Sequence, residues 1–402
     1  MNRRVFIRNT SVLAGGFLLK RHSGNVMGSP LNKTDMATPT KIEKPFHGAI
    51  LHKGLGEEIN GMLKINVEGE APVDSPVVVN GVLAQRDGTR FLAEVMLHDT
   101  ETEITAVSNS LFGKDQHAIR ILWNKKSFPR YGFEIDDNIY FLRDVARKRP
   151  KSLFDCFYLK GLRDVHRKYG TKVLLNLFYT DQSLYSDEAE FTLDQFPDRY
   201  KKEWADNADW LKLTFHAYAE FPDRPYQEAP VDKIISDIQL VSEQIHRFAG
   251  EETFTPPTIV HWGMTNQEAF KPMYDMGVRV MRGYFTKNRH GVWDVNQNMD
   301  DVRSEYINRH DALKDFNSGI VFSKSDMVLN NTPIDEIVPI LESLKGDVLQ
   351  SEVIDLMTHE QYFWPFYANY VPDHFDRLDR AIRWVTENGY KPVFWNDGLL
   401  GA

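Results

Sequence analysis

Hydrophobic and polar residues alternate in short runs through the first third of the chain. Residues 62–67 and 91–97 are two such runs, and turn formers such as Asn80-Gly81 separate others. A period of two interrupted by Asn-Gly is typical of antiparallel strands joined by hairpins. The pattern predicts a small all-β sandwich of the immunoglobulin-like kind over residues 45–127. No cluster of ionisable residues stands out there, so we expect a packing or substrate-presenting role.

The pattern changes after residue 128, where apolar runs of strand length alternate with helical patterns. The clearest helix covers residues 231–248, and a second, over residues 373–388, is closed by Gly389. Strands alternating with helices imply a parallel sheet, and this number of units predicts an α/β domain, a distorted (β/α) barrel, over residues 128–402. The predicted strands are residues 131–135, 172–178, 211–215, 258–261, 278–283, 320–322, 353–358 and 392–395.

Residues 1–44 are predicted to be an export signal and a flexible spacer. Arg3-Arg4 precedes a modestly apolar stretch at residues 12–19, which resembles a twin-arginine signal. An unstructured basic terminus is the alternative. We expect an exported protein in the periplasm or at the cell surface. No other apolar run approaches the ~20 residues that span a bilayer, so we expect no integral membrane domain.

Composition narrows the possible partners. Hydrophobic residues make up 42% of the 402 residues and charged residues 26%, which is ordinary for a globular protein. The net charge of −9 disfavours nucleic acid as a partner. Cys156 is the single cysteine, so the chain forms no internal disulfide and no four-cysteine zinc site. A bound metal would need His, Asp or Glu ligands.

Three of the predicted strands end in groups that can do chemistry. The first runs into Asp136-Asp137, the third delivers His216 with Glu220 four residues later, and a late strand delivers His359-Glu360. Each has an ordinary interpretation, respectively a helix cap, a buried core histidine and a loop residue. Together they place acid and imidazole groups at the face of a barrel where loops gather, which predicts an active site there.

These segments resemble the motifs of the polysaccharide deacetylase family. Glu134-Ile135-Asp136-Asp137 is similar to that family's strand ending Thr-Phe-Asp-Asp, and residues 216–220 to its His-x-x-x-His. Leu356-Met357-Thr358-His359 matches its late Leu-x-x-His. The family's Arg-x-Pro-Tyr motif is not reproduced, although His261-Trp262-Gly263 falls at a comparable place. The resemblance covers residues 128–398.

The resemblance implies a metal-dependent deacetylase acting on a carbohydrate. Asp136 would be the general base, His359 the general acid, and Asp137 and His216 metal ligands. Glu220 stands where the family has its second histidine, and we expect it to be the third ligand. The alternative is that Glu220 points to solvent or pairs with Arg224, four residues later. The implied ion is zinc, with manganese as an alternative because an Asp/His/Glu set also suits harder ions.

Acyl hydrolysis agrees with these residue types. A metal makes water a nucleophile near neutral pH, a carboxylate accepts a proton, and an imidazole protonates the leaving group. The predicted substrate contacts are Tyr218, His261, Trp262, Glu360 and Tyr362. Two other functions remain open. A glycosidase would pair Asp136 or Asp137 with Glu220 or Glu360, and a non-catalytic glycan-binding protein would bind without turnover.

Overall fold

The computed structural model describes residues 38–73, 75–110, 113–185 and 189–400. The predicted export signal lies outside the described residues. Strands and one short 3-10 turn account for the regular structure up to residue 123, and strands alternate with helices from residue 130 onward. Within the described ranges, no helix has the length and hydrophobicity that crossing a bilayer requires. The structure is therefore mixed α/β.

In the described residues up to 123, ten strands form two sheets. The strands are β1 (Lys41–Lys44), β2 (Ile50–Leu51), β3 (Glu57–Ile59), β4 (Met62–Glu70), β5 (Val77–Val79), β6 (Val82–Leu83), β7 (Gln85–Asp87), β8 (Arg90–Leu97), β9 (Glu101–Ser110) and β10 (Gly113–Trp123). One sheet has the order β1-β4-β8-β7 with β3 beside β4, and the other has the order β2-β10-β9-β5-β6. Burial alternates along β8, because its Phe91, Ala93 and Val95 join a core cluster shared by both sheets.

The turn between β5 and β6 forms as its sequence predicts. Val79 pairs with Val82, and the intervening Asn80 and Gly81 have φ angles of 44° and 85°. A two-residue turn with both φ angles positive matches the right-handed twist of the flanking strands, and Asn-Gly tolerates that conformation best. Strand β2 departs from the expected hairpins. It pairs in parallel with β10, which is possible because a long stretch of chain separates the two strands.

Eleven strands and nine helices follow residue 129 in the described part of the chain. The strands are β11 (Arg130–Asn138), β12 (Val173–Phe178), β13 (Leu211–Ala217), β14 (Val280–Gly283), β15 (Thr286–Lys287), β16 (Trp293–Asp294), β17 (Ala312–Lys314), β18 (Val321–Lys324), β19 (Met327–Val328), β20 (Val353–His359) and β21 (Lys391–Pro392). The helices are α1 (Tyr140–Lys148), α2 (Phe157–Tyr169), α3 (Lys201–Ala205), α4 (Val231–Phe248), α5 (Phe270–Asp275), α6 (Asp301–Arg309), α7 (Ile337–Lys345), α8 (His374–Glu387) and α9 (Trp395–Gly398).

The main sheet has the order β13-β12-β11-β20-β19, with β21 beside β11, and these strands pair in parallel. A smaller sheet has the order β14-β18-β17, and β15 pairs with β16. All nine residues of β11 are buried, as expected for a central strand covered on both faces. The carboxyl ends of β11, β12, β13 and β20 therefore meet at one edge of the main sheet.

Backbone hydrogen bonds link the two sheets on both sides, although one predicted strand is absent. Residues 258–261 form no regular strand, because Pro256 and Pro257 directly before them lack N–H donors. On one side, Arg282 N of β14 nevertheless donates to Thr258 O at 2.7 Å, and Thr255 N of the same segment donates to Leu213 O of β13 at 3.1 Å. On the other side, Ser325 N donates to Gly283 O of β14 at 2.8 Å, and Asp326 N donates to Asp355 O of β20 at 3.0 Å. The predicted strand at residues 392–395 is also shortened, because helix α9 begins within it.

Candidate metal centre

An irregularity at the end of β11 directs its two aspartates to different partners. Asp137 has a φ angle of 62°, and the pairing of β11 with β12 shifts register between Ile135 and Asn138. Aspartate enters this left-handed region more readily than most residues, and a bulge of this kind re-aims a side chain. Asp136 stays on the face of the strand that also carries Glu134, since the two are two residues apart. Asp137 instead meets the two histidines described next.

Asp137, His216 and His261 place three ligand atoms at the corners of a nearly equilateral triangle. Asp137 Oδ1 lies 3.1 Å from His216 Nε2 and 3.1 Å from His261 Nδ1. The two imidazole nitrogens are 3.2 Å apart. Zinc ligands at ~2.0–2.1 Å from the ion in a tetrahedral site lie roughly 3.3 Å from one another, so the three atoms fit one small divalent ion. All three side chains are buried.

Hydrogen bonding supports a cation at this position. His261 Nε2 lies 3.0 Å from the carbonyl oxygen of Glu220. A carbonyl only accepts, so Nε2 carries the proton and Nδ1 presents its lone pair to the triangle. Asp137 Oδ1 and His216 Nδ1 have no hydrogen-bond partner among the described residues. A buried carboxylate oxygen without a donor is costly, and a bound cation would satisfy it.

The charges of the triangle shift the pKa values of its members in opposite directions. Burial alone would raise the pKa of Asp137, but the charge of His261 and the close contacts of both imidazoles hold this pKa well below its usual value. Burial opposes a charge on His261, yet Asp137 and Glu220 raise the pKa of this imidazole above its usual value. The three groups together favour a positive charge at this point, whether a proton or a metal ion.

The third corner of the triangle differs from the sequence prediction. We expected Glu220 as the third ligand and His261 as a substrate contact, whereas the group that can hold a metal comprises His261. Residues 218 and 220 are bends and no helical turn directly follows β13, so a spacing of four does not place Glu220 beside His216. The Glu220 carboxylate instead accepts a hydrogen bond from Gln361 Nε2 at 3.2 Å.

Asp136, the predicted general base, lies beside this triangle in the interior of the sheet system. Its Oδ1 accepts a hydrogen bond from Asn176 Nδ2 at 2.5 Å and lies 3.9 Å from Arg282 Nη2. The side chain is buried. A carboxylate held by this amide keeps a fixed orientation.

A second buried cluster lies directly beneath Asp136. Arg282 donates to Glu134 at 2.6 Å and to both oxygens of Asp355 at 2.8 and 3.0 Å. Thr258 Oγ1 and Asn176 Nδ2 donate to Glu134 as well. Burial raises the pKa of Asp355 well above its usual value against the attraction of Arg282. This cluster was not predicted, although each of three apolar strands carries one charged residue, a pattern that indicates buried ion pairs.

The tautomer of His359, the predicted general acid, is determined by its hydrogen bond to Asn330. Its Nδ1 lies 2.9 Å from Asn330 Oδ1, which also accepts from Thr358 Oγ1 at 3.1 Å. With the amide oxygen as acceptor, Nδ1 of His359 donates, and a proton exchanged with a substrate would be carried by Nε2. His359 also pairs with Asp136 in the register of β20 and β11, which places both predicted catalytic groups at the same level. Asn330 was not identified from the sequence.

Glu360 does not have the arrangement of a substrate contact. Its side chain is fully buried, and its oxygens accept hydrogen bonds from the backbone N–H groups of Ile139, Tyr140 and Phe141 at 2.6–2.9 Å. Trp364 Nε1 donates to it at 3.0 Å. These donors are the otherwise unpaired groups at the start of α1, so Glu360 caps that helix. Both oxygens of the Glu360 carboxylate are therefore engaged in hydrogen bonds within the protein.

The remaining predicted substrate contacts are aromatic. Tyr218 is 41% exposed and stacks on Tyr179 with ring centroids 5.3 Å apart. The guanidinium of Arg224 lies 5.5 Å from the ring centroid of Trp262. Tyr362 is buried, 6.0 Å from the ring of His359. Of these three, Tyr218 is the most exposed side chain.

Comparisons with known proteins give only distant likenesses. No protein-family model matches the chain, and no curated protein is similar to it in sequence. Three of the similar solved structures are BA3943, a CE4 family pseudoenzyme from Bacillus anthracis; Agd3, a carbohydrate deacetylase; and BC0361, a polysaccharide deacetylase from Bacillus cereus. Their TM-scores are 0.32, 0.36 and 0.22, with sequence identities of 11%, 10% and 8%.

The alignments cover most of this chain in each case. They include 66% of it and 64% of BA3943, 84% of it and 70% of Agd3, and 59% of it and 86% of BC0361. The chain thus spans somewhat less than two thirds of the length of BA3943. At such distances these neighbours say nothing about the activity of this chain.

Proposed function

We propose that this protein is a metal-dependent hydrolase that removes N- or O-acetyl groups from a carbohydrate. The observation that carries the proposal is the triangle of Asp137 Oδ1, His216 Nε2 and His261 Nδ1, with edges of 3.1–3.2 Å. The motif resemblance supports the same reaction. Zinc fits the spacing and the ligand types, and manganese is the alternative.

The protein's own residues supply the proton transfers. The chemistry that a divalent ion provides at such a site is a water of lowered pKa and a polarised carbonyl oxygen. Asp136, oriented by Asn176, accepts the proton of the attacking water. His359 donates a proton from Nε2 to the leaving nitrogen or oxygen while its Nδ1 remains bonded to Asn330. The two residues are register partners on neighbouring strands, so one acyl group can lie within reach of both.

The wider organisation belongs to the same proposal. Backbone links between the two sheets on both sides support a distorted barrel for residues 128–402, with the metal centre at the carboxyl ends of its strands. We infer that residues 45–127 form an immunoglobulin-like sandwich and that the chain is exported. The glycosidase alternative loses one of its carboxylates, since Glu360 caps α1.

Metal content and acetate release test this function. Purified protein should contain a stoichiometric divalent ion and release acetate from an N- or O-acetylated glycan. A chelator should abolish release, and added zinc or manganese should restore it. His261→Gln should remove the metal, whereas His310→Gln should not, because His310 bonds the carbonyl of Tyr306 away from the triangle. Metal-free protein with full activity would exclude the mechanism, and metal without acetate release would favour glycan binding alone.

A further inference from the structure

Gln361 lies two residues beyond His359 and contacts two carboxylates at once. Its side chain is buried, and its Nε2 donates to Asp137 Oδ2 at 2.7 Å and to Glu220 Oε2 at 3.2 Å. An amide NH₂ group has two hydrogens, so both bonds can form together. The opposite amide orientation would place a carbonyl oxygen against two carboxylates. The contacts therefore fix which end of the amide faces Asp137.

These bonds determine how Asp137 faces the triangle. Because Gln361 occupies Oδ2, the other oxygen, Oδ1, is the atom directed at His216 and His261. A carboxylate held by one oxygen offers a single ligand atom, which suits the crowded tetrahedral arrangement of zinc. Without this bond the carboxylate can rotate and offer both oxygens to an ion.

Glu220 reaches the same triangle by a second route. Its backbone carbonyl holds His261 Nε2 at 3.0 Å, while its carboxylate holds the amide of Gln361. One residue thus contacts the side chain that orients Asp137 and the imidazole that forms another corner. This explains in physical terms why a glutamate here can matter to the metal without ligating it.

We propose that Gln361 and Glu220 are a positioning pair for the metal centre. Gln361 holds Asp137 in single-oxygen geometry, and Glu220 holds both Gln361 and His261. The inference rests on the proposed metal-dependent function, because it concerns how the metal ligands are oriented. Neither side chain is itself a ligand in this scheme.

Metal affinity of the full-length protein tests the pair, with zinc titrated by calorimetry into chelator-treated samples. Gln361→Met keeps similar volume but removes both donors, and zinc affinity should fall by about 10–100-fold. Glu220→Gln keeps an acceptor for Gln361 and the backbone carbonyl but loses a negative charge, so we expect a smaller loss, about 3–10-fold. Gln297→Met is the matched control. Gln297 is fully buried and bonds Thr265 and the Arg282 backbone, so zinc affinity should not change.

The visible absorption of Co²⁺-substituted protein supplies a readout that loss of packing alone would not reproduce. Rotation of Asp137 in Gln361→Met should raise the coordination number and weaken the absorption bands typical of a tetrahedral ion. Wild-type zinc affinity in both Gln361→Met and Glu220→Gln overturns the proposal, as does an equal loss in Gln297→Met. If Gln361→Met does not fold, Glu220→Gln decides alone. Wild-type protein that binds no metal would contradict the proposed function instead, so the two failures are distinguishable.

Discussion

Two buried charged clusters lie one above the other along β11, and they differ in whether all of their carboxylate oxygens have hydrogen-bond donors. In the lower cluster, each carboxylate oxygen of Glu134 and Asp355 has a donor, supplied mainly by Arg282. In the upper cluster, Asp137 Oδ1 and His216 Nδ1 have no hydrogen-bond partner in the described part of the chain. Both clusters interrupt apolar strands, so composition alone does not separate them.

The difference separates a structural role from a ligand-binding role. Burying a charge is tolerated when an opposite charge and hydrogen bonds compensate it, and the lower cluster meets that condition internally. In the upper cluster, Asp137 Oδ1 has no such donor, and a cation bound by the three side chains would compensate it. Removing a member should therefore affect folding in the lower cluster and metal binding in the upper one.

The largest expected effect is on the lower cluster. Arg282→Met leaves Glu134 and Asp355 buried without their cation, so the free energy of unfolding should fall by about 3–5 kcal/mol. Urea denaturation measures it. Arg279→Met is the control, because Arg279 is exposed on the same segment and packs on Tyr274, and its cost should stay below about 1 kcal/mol. Equal costs for the two variants would contradict the comparison.

Asp136 lies between the clusters and should behave like the upper one. Asp136→Asn preserves shape but removes the proton acceptor, so turnover should fall by about 10²–10⁴-fold while the metal content stays normal. Acetate release and elemental analysis of the same sample measure both quantities. Loss of the metal would instead make Asp136 part of the coordination sphere, and unchanged turnover would remove it from the role of base.

Buried elements were predictable because their patterns are simple. The helix predicted over residues 231–248 coincides with α4, whose apolar stripe packs on β13. The predicted strand at 172–178 differs from β12 by one residue, since central strands are continuous apolar runs. The predicted strand at 258–261 was wrong. The two prolines directly before it lack N–H donors, and a prediction from hydrophobicity alone does not take this into account.

The candidate site was less predictable, because its members meet across distant segments. Asp137 and His216 were identified at strand ends and lie 3.1 Å apart. His261 follows a segment without regular strand structure, so strand-end reasoning gave it only a secondary role. The role of Arg282 could not be predicted, because the sequence does not show that β14 lies next to β11. Glu360 was predicted to contact substrate, whereas its carboxylate caps a helix. The roles of these residues depend on which side chains they meet in the folded protein, and residue type alone does not show this.

Substitution of Asn330, which bonds His359 beside the metal centre, should have an intermediate effect on turnover. Asn330→Ala removes the acceptor that fixes the His359 ring and its tautomer, so turnover should fall by about 10-fold with normal metal content. Asn330→Asp restores an acceptor and should recover most of the rate, with a pH optimum shifted upward because a carboxylate raises the pKa of a neighbouring imidazole. An Asn330→Ala enzyme with wild-type turnover would show that His359 needs no such support.

The smallest expected effect concerns a buried imidazole that, unlike His261, faces no carboxylate of the triangle. Burial lowers the pKa of His374 from 6.5 to about 3, and its Nε2 bonds Thr358 Oγ1. The unfolded chain takes up this proton below pH 6.5 while the folded protein stays neutral down to about pH 3. Stability is therefore present above pH 6.5 and is lost as the pH falls, by about 1.4 kcal/mol at pH 5.5.

His374→Gln has no such proton to bind, so its unfolding free energy should drop by about 1 kcal/mol less than that of wild type between pH 7.5 and 5.5. If the unfolding free energies of the two proteins fell equally, burial would not lower the pKa of His374. The contrast with His261, whose pKa is raised by neighbouring carboxylates, would then not hold.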